Sequence, residues 1–326
     1  MGHILVVGEL APDGSLTKLS TEVATLGRSL AEASGTTVHG VVFATGGASA
    51  AATAAMDELL AFVDTASIDE RATDGDTVAP VAAAVSTDVA DVDVVLLPAT
   101  PNGRDIAGAL SALTGLGVLA NATGARWSAD GPVVEMSAFG GKLITDSVFT
   151  QGRGIITVRP NAVTAAPRAT AGTRSETPAT SAPTLAPVRV VDRVEEGAAA
   201  VSIDDARIIV SGGRGVAGPE GFRLVEDLAA ALGGAVGATR AAVDSGWIAY
   251  SQQIGQTGKI VNPQLYLALG ISGAIQHKVG MQTSGAIVAV NRDADAPIAE
   301  FADLFIVGDL FEVGPALLTA LGARPD

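Results

Sequence analysis

Gly270-Ile271-Ser272-Gly273-Ala274-Ile275-Gln276-His277 follows the apolar run Leu265-Tyr266-Leu267-Ala268-Leu269 as a strand is followed by a tight turn and a helix start. The turn reads as an anion cradle. Small residues let backbone N–H groups approach closely, and the start of a helix adds the positive end of its dipole, so a pyrophosphate can be held without a lysine. Gln276 and His277 end the turn with two side chains able to hydrogen-bond a heterocycle, which points to a dinucleotide rather than a bare phosphate.

Working outward, the same strand–turn–helix rhythm runs from about Ala198 to the C-terminus. Strands are expected at Arg207–Ser211, Ala235–Thr239, Leu265–Leu269, Ala286–Val290 and Leu304–Val307, helices over 219–232, 274–280 and 310–321, and a long Gly/Gln loop over 245–263. The first half shows the rhythm too: His3–Val7, 20–34, Val38–Phe43, 48–61, 78–88, Val92–Leu97 and Arg104–Leu113 alternate β-branched runs with Ala-rich helical stretches. Val133–Ala138, Lys142–Asp146 and Gly154–Val158 follow with little helix between them and read as antiparallel additions at the sheet edge. From Pro160 to Pro187 prolines interrupt any helix, which marks edge or connecting structure. The expected fold class is α/β, with two doubly wound domains: a Rossmann-like, nucleotide-binding-like domain over 1–195 and a parallel-sheet domain over 196–326.

Composition agrees. The 326 residues suffice for two cores, 48% are apolar and only 4% aromatic, which suits close helix-on-sheet packing. Cysteine is absent, so disulfides, thiolate zinc sites and cysteine-held clusters are excluded and any redox chemistry belongs to an organic cofactor. The net charge of −15 argues against non-specific nucleic-acid binding, whereas Arg214, Arg240, Lys259, Lys278 and Arg292 all lie in or beside the Gly-rich turns of the second half and suggest an anionic ligand. The N-terminal residues lack a signal-peptide pattern and no apolar run is long enough to span a bilayer, so the expectation is a soluble cytoplasmic protein.

In open α/β sheets ligands bind at the carboxyl ends of the strands. Four strand ends of the second domain carry polar or Gly-rich turns: Ser211-Gly212-Gly213-Arg214-Gly215, Thr239-Arg240-Ala241-Ala242-Val243-Asp244, Ser272 to His277, and Asn291-Arg292-Asp293. The loop Ile254-Gly255-Gln256-Thr257-Gly258-Lys259 joins them. Each alone reads as a tight turn. Five together read as a site, although none is G-x-G-x-x-G. Asp309 with Glu312 makes a D-x-x-E capping box for the last helix, while Asp204-Asp205 and Glu195-Glu196 are solvated charges without metal spacing. Trp247 and Tyr250 read as packing or interface residues, and no triad or paired carboxylates stand out, so no catalytic residue and no metal site is expected.

These segments, in this order and spacing, resemble the FAD domain of the electron-transfer flavoprotein α subunit. The likeness is close over about 207–315 and looser before it, chiefly at Gly103-Arg104-Asp105 and Val158-Arg159-Pro160-Asn161. It implies an electron carrier rather than an enzyme: an FAD-carrying subunit that pairs with a β subunit holding AMP or a second FAD. It also implies a role in fatty acid β-oxidation, in which the carrier takes electrons from flavoprotein dehydrogenases such as acyl-CoA dehydrogenases and passes them to a membrane quinone oxidoreductase. The first domain would carry no ligand of its own. Arg214 and Ser272, Gly273, Ala274 and Ile275 would hold the pyrophosphate region, and Gln276 and His277 the ribityl and pyrimidine side. Arg240 would lie over the isoalloxazine ring beside Thr239, and Thr257 would offer its hydroxyl to flavin N5 from a loop shaped by Ile254, Gly255 and Gln256. Asn291, Asp309 and Leu310 would hold the adenosine end. A guanidinium beside the ring favours its anionic reduced forms, and a donor at N5 or a cationic or donating imidazole at the N1–C2 edge acts the same way. The alternatives are an NAD-dependent enzyme with a related doubly wound domain and a non-redox nucleotide-binding scaffold.

Overall fold

The structure, a computed structural model, describes residues 2–11, 13–43, 49–69, 78–138, 143–175, 202–203 and 206–322, which leaves the Glu195-Glu196 and Asp204-Asp205 pairs and Pro178, Pro183 and Pro187 outside the described residues. The chain divides into two compact units, Met1–Arg193 and Val194–Asp326.

The first unit runs β1 (His3–Gly8), α1 (Lys18–Ser34), β2 (Val38–Phe43), α2 (Ala50–Leu59), β3 (Thr65–Asp69), α3 (Val78–Asp88), β4 (Val92–Pro98), α4 (Pro101–Thr114), β5 (Val118–Ser128), β6 (Gly131–Ala138), β7 (Leu143–Val148), β8 (Gly154–Val158) and β9 (Thr173–Arg174). Its sheet has the order β7-β6-β5-β8-β4-β1-β2-β3-β9, parallel except for the β5-β6-β7 ribbon. Ile4, Val6, Val38 and Val42 meet Leu19, Val23, Leu26 and Leu59 of α1 and α2 on one face, and Leu5, Val7, Val41 and Val95 meet Val81, Val85, Ile106 and Leu110 of α3 and α4 on the other. Strands buried on both faces must be continuously apolar, which is why these runs show no alternation. Helix ends are written locally: Thr17 and Thr100 cap α1 and α4, Pro101 opens the latter, and Gly35 and Gly115 take left-handed φ of 70° and 74° just past their last turns.

One edge assignment needs correction. β6 and β7 are antiparallel additions at the sheet edge as expected, but Gly154–Val158 lies inside the sheet, parallel to both β4 and β5 and buried at every residue. A run buried on both faces is the mark of a central strand, and the short spacing after β7 hides this. Val118–Ser128 is a strand that the sequence does not announce, because Asn121, at φ 61°, and a register shift interrupt its pairing. After β8 the proline-rich segment crosses to the far edge, where Arg168 N–H and Gly172 N–H donate to Ala61 and Leu60 carbonyls before β9 pairs with β3.

The second unit runs β10 (Ile208–Gly212), α5 (Phe222–Leu232), β11 (Ala235–Thr239), α6 (Arg240–Asp244), β12 (Gln253–Ile254), β13 (Leu265–Leu269), α7 (Ile275–Met281), β14 (Ala286–Asn291), β15 (Leu304–Val307) and α8 (Leu310–Ala320). All pairs are parallel, in the order β12-β11-β10-β13-β14-β15. The chain builds outward from β10 in one direction, returns, and builds outward from β13 in the other, so the topological switch point lies between β10 and β13. Val210, Leu267, Leu269 and Val290 pack under α5 and α8, and Ile209, Tyr266, Ala268 and Ile287 form the opposite face with Met281 and Ile298. No described helix of either unit is long and apolar enough to cross a membrane.

Candidate functional site

The carboxyl ends of the six parallel strands of the second unit share one edge of its sheet, so the five turns singled out from the sequence converge there. At the switch point two glycine turns touch backbone to backbone. Gly213 N–H donates to Leu269 C=O at 2.9 Å and Gly215 N–H to Gly270 C=O at 3.0 Å. A Cβ on Gly270, whose φ is 62°, would lie 2.6 Å from Gly215 Cα, and one on Gly213 would lie 2.4 Å from the Gly270 carbonyl oxygen. Only glycine permits that approach. Gly273, at φ 86°, sits as tightly against the Ile298 backbone, whose N–H donates to Ser272 C=O. Among the described residues, the N–H groups of Ser272, Gly273 and Ala274 have no backbone acceptor. Bare amides on a rigid small-residue turn, with the exposed Arg214 on the facing turn, fit a pyrophosphate. Helix α7 has only seven residues, so these amides rather than a long helix dipole supply the attraction.

On the β11 side, Thr239 has its hydroxyl buried without a hydrogen-bond partner among the described residues, an orphaned polar atom that fits a ligand able to bond it. Arg240 does not lie in a loop but opens the short helix α6, where its Nε meets Asp244 Oδ2 at 3.2 Å, one turn on. Both side chains are more than half exposed, so the pair is weak and the guanidinium remains a solvent-exposed cation.

The loop carrying Thr257 is held from three directions. Ile254 pairs with Thr239 in the sheet, Gln256 N–H donates to Gln276 C=O at 2.7 Å, and the Tyr250 hydroxyl donates to Thr257 C=O at 2.7 Å. Gly255, at φ 144°, brings this loop within 2.8 Å of Gln276 C=O measured from where a Cβ would stand. Buried Gln253 donates its side-chain N–H to Thr257 Oγ1 at 3.2 Å, so the threonine oxygen is used as an acceptor and its own proton is free to point outward. The sequence reading did not single out Gln253. Tyr250 proves to be a tether through its hydroxyl, with its ring exposed.

Gln276 is exposed, whereas His277 is only 6% exposed and both of its ring nitrogens are taken by the protein: Nδ1 by Ile254 C=O at 3.0 Å and Nε2 by the Tyr266 hydroxyl at 2.9 Å. Burial holds the imidazole down at a pKa of about 4, against a smaller opposing contribution from the Ile254 bond. Of the cationic or donating imidazole that the sequence left open, burial favours the neutral ring. Tyr266, fully buried, has its phenol pushed well above its ordinary value by the same desolvation.

At the other end, Asn291 donates to Ile271 C=O and accepts from Asp293 N–H, which ties β14 to the switch-point turn. Asp309 caps α8 by accepting from Phe311 N–H at 2.8 Å, one residue short of the expected box partner, and its other oxygen is 4.0 Å from the Arg292 guanidinium. Leu310 is buried, and its side chain would be 3.0 Å from a Cβ on Gly270. Arg214, Ser272 to His277, Asn291, Asp309 and Leu310 thus frame the switch point, and Thr239, Arg240 and Ile254 to Thr257 continue the same edge. Among the described residues no group of three or more His, Asp or Glu is placed to hold a metal.

The first unit has its own switch point between β4 and β1, with a cleft lined by Val7, Gly8, Phe43, Leu97, Pro98 and Asn102. There the Glu9 carboxylate already accepts from Thr100 Oγ1 at 2.7 Å and Asn102 Nδ2 at 3.2 Å. A carboxylate seated on the donors at the start of α4 repels a phosphate.

Residues 4–184 match the family described as electron transfer flavoprotein domain, and residues 202–282 match the electron transfer flavoprotein FAD-binding domain. Electron transfer flavoprotein subunit alpha of Mycobacterium leprae is 41% identical over 99% of both chains, and that of Mycobacterium tuberculosis H37Rv likewise. The subunit of the same name from Paracoccus denitrificans is 39% identical over 83% of this chain and 87% of its own length. With both units matched and the identity sustained end to end, the chain belongs to the electron transfer flavoprotein α-subunit family.

Proposed function

We propose that this chain is the FAD-carrying subunit of a heterodimeric electron-transfer flavoprotein, that it accepts electrons from flavoprotein dehydrogenases of the acyl-CoA class, and that a membrane quinone oxidoreductase takes them from it. The observation that carries the reading is the Gly213–Gly215 and Gly270–Gly273 joint at the switch point, where amides without a backbone acceptor among the described residues lie at the edge on which the five turns converge. Bound there, FAD supplies the one- and two-electron redox chemistry that the chain's own side chains lack.

The chain's residues bind and tune. Arg214 and Ser272 to Ile275 hold the pyrophosphate, Gln276 and the neutral His277 border the ribityl side, and Asn291, Asp309 and Leu310 border the adenosine. Thr257, whose oxygen is committed to Gln253, offers its proton to N5, and Arg240 contributes positive charge that favours electron uptake by Coulomb attraction in a partly dry site. Asp244 tempers that charge. Glu9 at the first unit's switch point supports a first unit without a nucleotide, leaving AMP or a second FAD to the β subunit.

Co-expression with the β subunit tests this. The expected product is a yellow heterodimer that is bleached by an acyl-CoA dehydrogenase with its substrate and recovers its colour with the quinone oxidoreductase; a flavin-loaded heterodimer inert to both would overturn the donor and acceptor assignment.

A further inference from the structure

We propose that Tyr266 is a positioning residue for the 254–257 turn, acting through His277 as a buried hydrogen-bond relay across the sheet. The direction of each bond follows from chemistry. The Ile254 carbonyl can only accept, so His277 Nδ1 must carry the ring's proton in the bond at 3.0 Å. A neutral imidazole has one N–H, so Nε2 presents a lone pair, and the Tyr266 hydroxyl 2.9 Å away must be the donor. The relay therefore reads Tyr266 O–H to His277, and His277 N–H to Ile254.

Its span is what gives it a task. Tyr266 lies on β13 and Ile254 on β12, with β10 and β11 between them in the sheet order, and His277 on α7 bridges the gap. Strand β12 has only two residues, paired with β11 and bridged at Ile254 to Lys259 of its own loop, so its ladder to the rest of the sheet is short. Two backbone ties from the same helix, Gln256 N–H to Gln276 C=O and Val261 N–H to Gly280 C=O, bracket the turn, and the glycine at 280 lets the helix close on Gly255, since a Cβ there would stand 2.4 Å from Gly255 N. The relay is the side-chain tie that completes this clamp on the segment carrying Thr257. Burial of both partners, which keeps the ring neutral and the phenol protonated, is consistent with these fixed donor roles. The bearing on redox chemistry rests on the proposed function above; the relay itself does not.

The test uses the full αβ complex with 15N-labelled histidine in this chain alone, whose other two histidines to assign are His3 and His39. Wild type should show His277 with Nδ1 protonated and Nε2 bare; an Nε2-protonated or charged ring would overturn the relay without recourse to any variant. Tyr266→Phe, checked for an unchanged circular dichroism spectrum, should leave Nδ1 protonated on the Ile254 carbonyl but strip Nε2 of its donor, which moves the Nε2 15N shift, and should raise amide exchange of Gln256 on the order of tenfold, the loss of about one hydrogen bond's worth of protection. An unchanged Nε2 shift or unchanged exchange in that variant would equally overturn it. A changed shift and exchange with an unaltered flavin potential would uphold the relay and remove the flavin from the 254–257 turn.

Discussion

Gly270→Ala probes the glycine joint directly, with Gly233→Ala as its control. Both positions are left-handed, at φ 62° and 64°, so each substitution incurs the backbone penalty of about 1 kcal/mol for an L side chain there. Around Gly233 nothing lies within 4 Å of the new methyl, and the penalty should end there. At Gly270 the methyl meets Gly215 Cα at 2.6 Å and Gly215 C at 2.8 Å, both backbone atoms that cannot rotate aside. Forcing the two turns apart adds an overpacking cost of roughly 1–3 kcal/mol, for a total of about 2–4 kcal/mol. It also stretches the Gly215 N–H to Gly270 C=O bond, the contact that fixes the spacing of the cradle. The assay is thermal unfolding of the complex followed by circular dichroism, together with flavin released on dilution. Gly270→Ala should unfold well below Gly233→Ala and release flavin at least tenfold more readily. If the two variants match in stability and flavin retention, the joint is not what shapes the site.

Other perturbations follow from named contacts. Arg240→Ala should lower the flavin midpoint potential and Asp244→Asn should raise it, each by tens of millivolts, corresponding to about 1 kcal/mol of screened Coulomb interaction; potentiometric titration showing the same sign for both would refute the tempering pair. His277 has its pKa depressed to about 4, so its neutral folded form contributes stability above the unfolded value of 6.5 that is lost as pH falls toward 4. Acid unfolding of the second unit should therefore steepen below pH 6.5, by about 3 kcal/mol at the limit, and His277→Gln should flatten that slope. His39, whose ring nitrogens meet Thr65 and Ser67 hydroxyls and whose pKa is also about 4, mainly through desolvation and secondarily through the nearby His3, should give the first unit the same dependence, abolished in His39→Gln. Arg126→Ala, which breaks an exposed pair with Asp146 on the edge ribbon, should cost under about 1 kcal/mol in urea unfolding; a larger loss would mean that the ribbon depends on it.

Much of this was legible because the informative signals are local. An apolar run followed by a polar or Gly-rich turn is a strand end whatever surrounds it, and four such ends on parallel strands must share one edge; the two-residue strand that brings the Ile254–Lys259 loop to the same edge is too short to read. Position in the sheet is not local. Gly154–Val158 follows an antiparallel ribbon at short range, yet its place beside β4 is decided by partners some 60 residues back in the chain. Short helices fall below the reach of periodicity, so Arg240-Ala241-Ala242-Val243-Asp244 reads as a turn when it is one turn of helix with its ends paired. Partnerships inside the core are the least visible. Tyr266 sits in a strand as one more apolar residue, and nothing in Leu265–Leu269 announces that its hydroxyl will meet His277; Gln253 likewise reads as loop polarity until its amide is seen against Thr257. The charge state of His277, a question of burial, follows from those partners.

The central claim is that FAD sits at the switch point of the second unit and nowhere in the first. The most direct measurement is the FAD content of the purified αβ complex for three forms: wild type, Gly270→Val in the second unit's joint, and Asn102→Ala beside Glu9 in the first unit's cleft. Wild type should carry one FAD per α chain, Gly270→Val should lose it with the β subunit still bound, and Asn102→Ala should retain it in full. Flavin retained at full occupancy in Gly270→Val, or lost in Asn102→Ala, would contradict it.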